Sequence, residues 1–114
     1  MGEHLLPYKP NKAMRDNARR ALQFRKTLPP SKRFGTPVGL ARARDIANNV
    51  SLSKSTILRM RSFLARHRSN YDRYKGVAFE SAGPGRWSYD LWGGVAAISW
   101  TNDKIRRYKK AGEL

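Results

Sequence analysis

The stretch from Ala47 to Met60, Ala-Asn-Asn-Val-Ser-Leu-Ser-Lys-Ser-Thr-Ile-Leu-Arg-Met, constrains the fold more than any other part of the chain. Ala47 is small, Asn48 and Asn49 tolerate the left-handed backbone that ends a helix, and Ser53 is a good helix N-cap. Beyond Ser53, Ile57, Met60 and Leu64 recur at the spacing of one buried helical stripe, which Phe63 widens. Two helices meeting at a sharp turn are expected, from about Leu40 to Asn48 and from Lys54 to His67.

The flanking sequence predicts two further helices. Asn11 suits an N-cap, and Met14, Ala18, Ala21 and Leu22 place an apolar face on a helix from Asn11 to Thr27 that Pro29-Pro30 must stop. Residues 28–39 read as a turn-rich connector. Gly83-Pro84-Gly85 marks a break, and the residues before it have no clear period. A last helix is expected from Ser88 to Lys109, with Leu91, Val95, Ile98 and Ile105 on one face. Gly93-Gly94 lies inside it, at a cost of about 1 kcal/mol per glycine, which points to a kink or a very close backbone neighbour. The expectation is an all-α, single-domain fold of about four helices around Met60, Phe63, Leu64, Leu91, Trp92 and Trp100. Residues 1–10 form a flexible arm, 11–110 the basic helical domain and 111–114 a tail.

Charge narrows the function. Among 114 residues, 24 Lys and Arg face 8 Asp and Glu, a net charge of +16. So one-sided a balance repels itself unless a polyanion screens it, which favours nucleic acid over an anionic membrane surface. No segment joins a long apolar face to a basic one, and none of 18 or more apolar residues exists, so no membrane partner is expected. Cys is absent, which excludes disulfides, thiolate metal sites and thiol nucleophiles. The first residues lack the pattern of a secretory signal.

Residues Leu52-Ser53-Lys54-Ser55-Thr56-Ile57-Leu58-Arg59 resemble the Val-Ser-x-x-Thr-Val-x-Arg run that opens the recognition helix of the lac-repressor type of helix-turn-helix. The resemblance implies that Lys54, Ser55, Leu58 and Arg59 face the major groove of duplex DNA, with Ser53 and Thr56 near phosphate at the helix N-terminus. Arg59 is then the candidate for a bidentate guanine contact. Ser51 stands where that motif usually has Gly, a strain if the position is left-handed. The alternative is a plain helical hairpin in which Ser53 is only a cap. Arg42, Arg44, Arg66, Arg68, Arg106 and Arg107 are the further candidate phosphate contacts. Trp87, beside Arg86, is the aromatic residue most open to base stacking; Tyr89, Trp92 and Trp100 are assigned to the core.

No catalytic group or cofactor is expected. His4 sits in the arm and His67 among cations, without the spacing of a metal site. Asp45, Asp72, Glu80 and Asp90 show no spacing that demands a two-metal centre, and Asp45 suits an intrahelical pair with a neighbouring Arg.

Taken in order, Leu40-Ala41-Arg42-Ala43-Arg44-Asp45-Ile46, Leu52-Ser53 with Thr56, Arg59-Met60-Arg61-Ser62-Phe63, Ala65-Arg66-His67, and Leu91-Trp92-Gly93-Gly94 with Trp100 resemble a family of small proteins encoded by tailed bacteriophages. The similarity spans roughly residues 11 to 103. It departs after His67, where Arg68-Ser69-Asn70-Tyr71 replaces a mixed-charge stretch, and at Val95, where an acidic residue is common. The family has no assigned activity, so the resemblance implies a viral origin and residence in the infected bacterial cytoplasm or in the virion. Three functions stay open: non-catalytic DNA binding, inhibition of a host protein through an acidic surface on a polymerase or nuclease, and contact with packaged DNA inside the particle.

Overall fold

The computed structural model describes residues 7–114; His4 and most of the expected N-terminal arm lie outside them. Helix α1 (Lys12–Thr27) starts where Asn11 accepts the Met14 N–H at 2.9 Å, and a short 3-10 turn at Pro30–Lys32 follows it. Helix α2 (Pro37–Ala47) begins earlier than expected. The Thr36 hydroxyl accepts the Gly39 N–H at 3.0 Å, and Pro37 takes the first position, where its missing N–H is no loss. Its far end closes as a Schellman motif, with Val50 N–H on the Asp45 carbonyl at 2.9 Å and Asn49 N–H on Ile46 at 3.1 Å. Asn49 has φ 59°, the one positive value at a non-glycine among the described residues. The left-handed residue is therefore Asn49, and the strain expected at Ser51 does not arise.

Helix α3 (Lys54–Arg66) is capped by Ser53, whose hydroxyl accepts the Thr56 N–H at 3.2 Å. In the link between α2 and α3, Leu52 is buried and exchanges two backbone hydrogen bonds with Tyr8, at 3.1 and 2.8 Å. Residues 8–10 are thus pinned rather than free: Arg15 also donates to the Pro10 carbonyl at 2.9 Å.

The uncertain stretch after His67 contains two short helices, α4 (Arg68–Asp72) and α5 (Phe79–Ala82). The single last helix expected from Ser88 is instead two, α6 (Pro84–Leu91) and α7 (Ala96–Lys110). A second Schellman motif separates them, with Gly94 N–H on the Tyr89 carbonyl at 3.2 Å and Gly93 N–H on Asp90 at 3.0 Å. Seven α-helical segments stand among the described residues in place of about four: Gly83-Pro84 and Gly93-Gly94 end helices instead of bending them, and α3 gives way to α4 at His67 without a Gly or Pro. The all-α, single-domain class holds.

Packing explains the corner. Helix α1 presents the fully buried Met14, Ala18 and Ala21, and the two alanines allow close approach to α2 and α6, its two main neighbours. Asn17 donates its amide to the Gly93 carbonyl at 2.9 Å. A Cβ on Gly93 would lie 2.9 Å from that of Ala97, and one on Gly94 would lie 2.6 Å from Asp90 Oδ1 and 2.7 Å from Asn17 Nδ2. Helix α3 lays Ile57, Met60 and Leu64 on α7, and the Tyr89 hydroxyl donates to the buried Leu64 carbonyl at 2.9 Å. The two central helices therefore find their main partners on different sides, α2 on α1 and α3 on α7, rather than on each other as in a closed hairpin.

Gly94→Ala, with φ +67° and two overlapping atoms, is expected to lose about 3 kcal/mol of stability. Gly76→Ala, with φ +80° and nothing within 4 Å, should lose only the left-handed penalty of about 1 kcal/mol. Urea unfolding midpoints of the two variants check the difference; equal losses would show that close approach is not what the corner requires.

Candidate nucleic-acid interface

Most of the arginines are engaged by the fold. Arg19 donates to the Ala47 carbonyl at 2.8 Å and Arg15 to Asn49 Oδ1 at 3.4 Å, tying α1 to the end of α2. Arg25 donates to the Phe34 carbonyl at 2.7 Å, and Arg33 to Leu28 at 3.0 Å. Arg61 reaches Asn102 on α7 at 3.1 Å. A guanidinium has five donors in a planar fork, so it satisfies helix-end carbonyls that have no intrahelical partner.

Four of the candidate contacts are occupied in the same way. Arg42 is largely buried: its Nη1 lies 3.7 Å from Asp45, its guanidinium sits 6.0 Å from the Trp92 ring centre, and its Nε has no hydrogen-bond partner. It is not placed to meet a phosphate. Ser53 and Thr56 are bound to each other, hydroxyl to hydroxyl at 3.1 Å, in addition to the cap. Lys54 donates to the Glu113 carbonyl, which also ties down the expected C-terminal tail. Leu58 is half-buried rather than projecting. Three further candidates are exposed but carry a carboxylate. Arg68 is 3.1 Å from Asp72, whose hydrogen bond raises the guanidinium above its usual value. Arg106 and Arg107 share Asp103 at 3.4 and 3.0 Å with Lys104, and the Arg107 hydrogen bond leads in lowering the Asp103 carboxyl.

What remains is a short unopposed row. Ser55, Arg59 and Arg66 lie at i, i+4 and i+11 on the exposed side of α3, a helix with no acidic residue. Arg59 has no partner among the described residues, and Arg66 only its own helix, at 3.4 Å from the Ser62 carbonyl. Arg44 is likewise exposed and unpaired among them.

Beside this row runs a groove between α3 and the first turn of α2. Its two halves, of about 550 and 450 Å³, share Thr36, Phe63, His67 and Trp92. Phe63 stacks on Trp92 at 4.4 Å with 13° between planes, and meets the His67 ring at 4.4 Å, tilted by 38°. Arg59 and Arg66 stand on the rim of the larger half. Phe63 and Trp92 read as core in the sequence, and only the half-buried state of Phe63 opens them here. Trp87, by contrast, is not a stacking platform. It packs at 4.7 Å on Phe24 and 5.3 Å on Phe34, and its N–H donates to the Phe79 carbonyl at 2.6 Å.

Behind the groove, α6 carries the buried Asp90 between Arg20 at 3.0 Å and Arg86 at 3.4 Å. The Arg86 approach is one of charge, since its Nε makes no directed hydrogen bond. Burial pushes the Asp90 carboxyl above the usual range, against the pull first of Arg86 and then of Arg20. No group of three or more potential metal ligands occurs among the described residues, and no helix among them is long and apolar enough to cross a membrane.

Asp90 therefore favours its protonated form more in the folded than in the unfolded chain. Its contribution to stability is fully present below the unfolded value near 3.8 and is lost as pH rises through the higher folded value. Arg86→Met removes the larger compensation by charge and should cost about 3 kcal/mol at pH 7. That loss should shrink as pH falls and Asp90 takes up its proton. Urea unfolding at pH 7 and in the acid range checks this, and a pH-independent loss would contradict it.

Comparisons with protein-family models, with curated proteins and with solved structures find no match to this chain.

Proposed function

We propose that this chain is a small, non-catalytic nucleic-acid-binding protein of bacteriophage origin, with α3 as the presenting helix and duplex DNA as its partner in the infected cell. The observation that carries this reading is the row on α3: Arg59 and Arg66 are exposed, meet no carboxylate and stand on a helix that has none. Cations that the fold neither pairs nor buries are the ones able to release counterions from a phosphate backbone. Net charge of +16 supplies the long-range attraction, and the three cations that share the single Asp103 carboxylate add a second, weaker contact. A helix-turn-helix-like docking of α3 fits the exposed Ser55 and Arg59. It does not need α2 packed on α3, because α2 is held by α1.

Anisotropy of a labelled duplex across a salt series tests the proposal. Affinity should fall with a log–log slope of about −0.9 per phosphate neutralised. Replacing Arg59 and Arg66 together by Ala should make that slope shallower by up to about 2. Arg68→Ala should change it much less, since Asp72 already holds that charge at 3.1 Å. No affinity for oligonucleotides in dilute buffer, with capture of an acidic host protein that survives nuclease, would move the assignment to the inhibitor reading.

A further inference from the structure

We propose that the groove between α3 and the start of α2 receives a single nucleobase that has left its stack, with the adjoining phosphate on Arg59 and Arg66. The inference rests on the nucleic-acid reading above and adds to its duplex partner a preference for duplexes that carry an unpaired base, at a tail, a gap or a frayed end.

Three observations carry it. First, one wall of the groove is aromatic: His67, Phe63 and Trp92 form one column, with centroid spacings of 4.4 Å at each step, and Val38 and Leu58 complete the apolar lining of the larger half. Phe63 has a ring on either side and Trp92 is buried, so the ring left to stack on a base is the half-buried His67 at the column's end, which lines both halves of the groove; such stacking is tolerant of sequence. Second, the lining includes no carboxylate in either half, while two unpaired or nearly unpaired guanidiniums stand on the rim. An anion attached to a flat apolar ring is the chemistry that such a border complements. Third, polar groups remain available along the column. The Trp92 indole N–H has no hydrogen-bond partner among the described residues, and the Ser62 hydroxyl lines the same half of the groove. Gly39 keeps this edge open, because a Cβ there would lie 3.3 Å from Trp92 Nε1.

An intact duplex offers such a groove nothing, since each base is covered on both faces by its neighbours. The larger half, at about 550 Å³, falls within the range of small-molecule pockets. An acidic peptide would also meet the arginines, but it has no use for a ring column unless it carries an aromatic residue.

The test compares three labelled probes: a blunt duplex, the same duplex with a short thymidine tail, and that duplex with an abasic tail of equal length. The two tails carry the same phosphates and differ only in bases. The wild-type protein should bind the thymidine tail roughly ten-fold more tightly than the abasic one, the effect of about one stacked base. Ser62→Met fills the groove with an uncharged side chain from an exposed position, and His67→Ala removes the end of the column. Each should abolish the difference between tails while leaving blunt-duplex affinity within about two-fold. Equal affinity of the wild-type protein for both tails overturns this proposal alone, as does a difference that persists in Ser62→Met. Failure to bind all three probes overturns the nucleic-acid reading with it.

Discussion

The Asn17 amide on the Gly93 carbonyl, with α1 pressed against the Gly93–Gly94 corner, is the contact on which the rest of the arrangement hangs. Two successive positive φ values turn the chain sharply between α6 and α7. Helix α1 fits into that turn because no Cβ stands there. The angle so set decides where α7 runs, and α3 follows because its apolar stripe lies on α7. Trp92, the residue just before the corner, is carried to the gap between α2 and α3 and becomes part of the groove. A side chain at Gly94 would disturb packing and the candidate surface together.

The second organising principle is a division among the cations. Arg15, Arg19, Arg25 and Arg33 point back at the protein, where they satisfy carbonyls at the ends of helices and loops. Arg20 and Arg86 enclose a buried carboxylate and lie over Phe79 and Tyr71, at 4.2 and 4.7 Å from the ring centres. A strongly basic composition thus serves two purposes, and counting charge alone does not separate them. Arg59 and Arg66 stand out because they belong to the smaller set that the fold leaves alone.

Local signals were legible where the chemistry is local. The caps at Asn11 and Ser53, the left-handed Asn at the end of α2 and the α3 stripe of Ile57, Met60 and Leu64 all follow from residues within one or two turns of each other. Thr36-Pro37 carries an N-cap and first-turn proline signature as plain as these, but Gly39 beside it made the segment read as a loop. Gly93-Gly94 reads as a kink or a close backbone neighbour within one helix; the close neighbour is α1, while the pair ends α6 through a Schellman motif instead of bending a single helix. The groove has no local signal. Phe63, His67 and Trp92 lie on two different helical segments, and their stacking exists only once the corner brings them together. The occupied state of Arg42, Lys54 and Arg68 is likewise a matter of what each side chain meets in space.

The pairing of Tyr8 with Leu52 has a consequence for how the molecule folds. Tyr8 also packs edge-on at 5.6 Å against Tyr108, while Lys54 binds the Glu113 carbonyl. The first turn of α3 is thus held from both sides in sequence, by Tyr8 before α1 and by Glu113 after α7. Loop closure over such a separation is slow relative to helix formation. The clamp on α3 therefore closes only once both α1 and α7 have docked, so the surface of α3 is set late in folding.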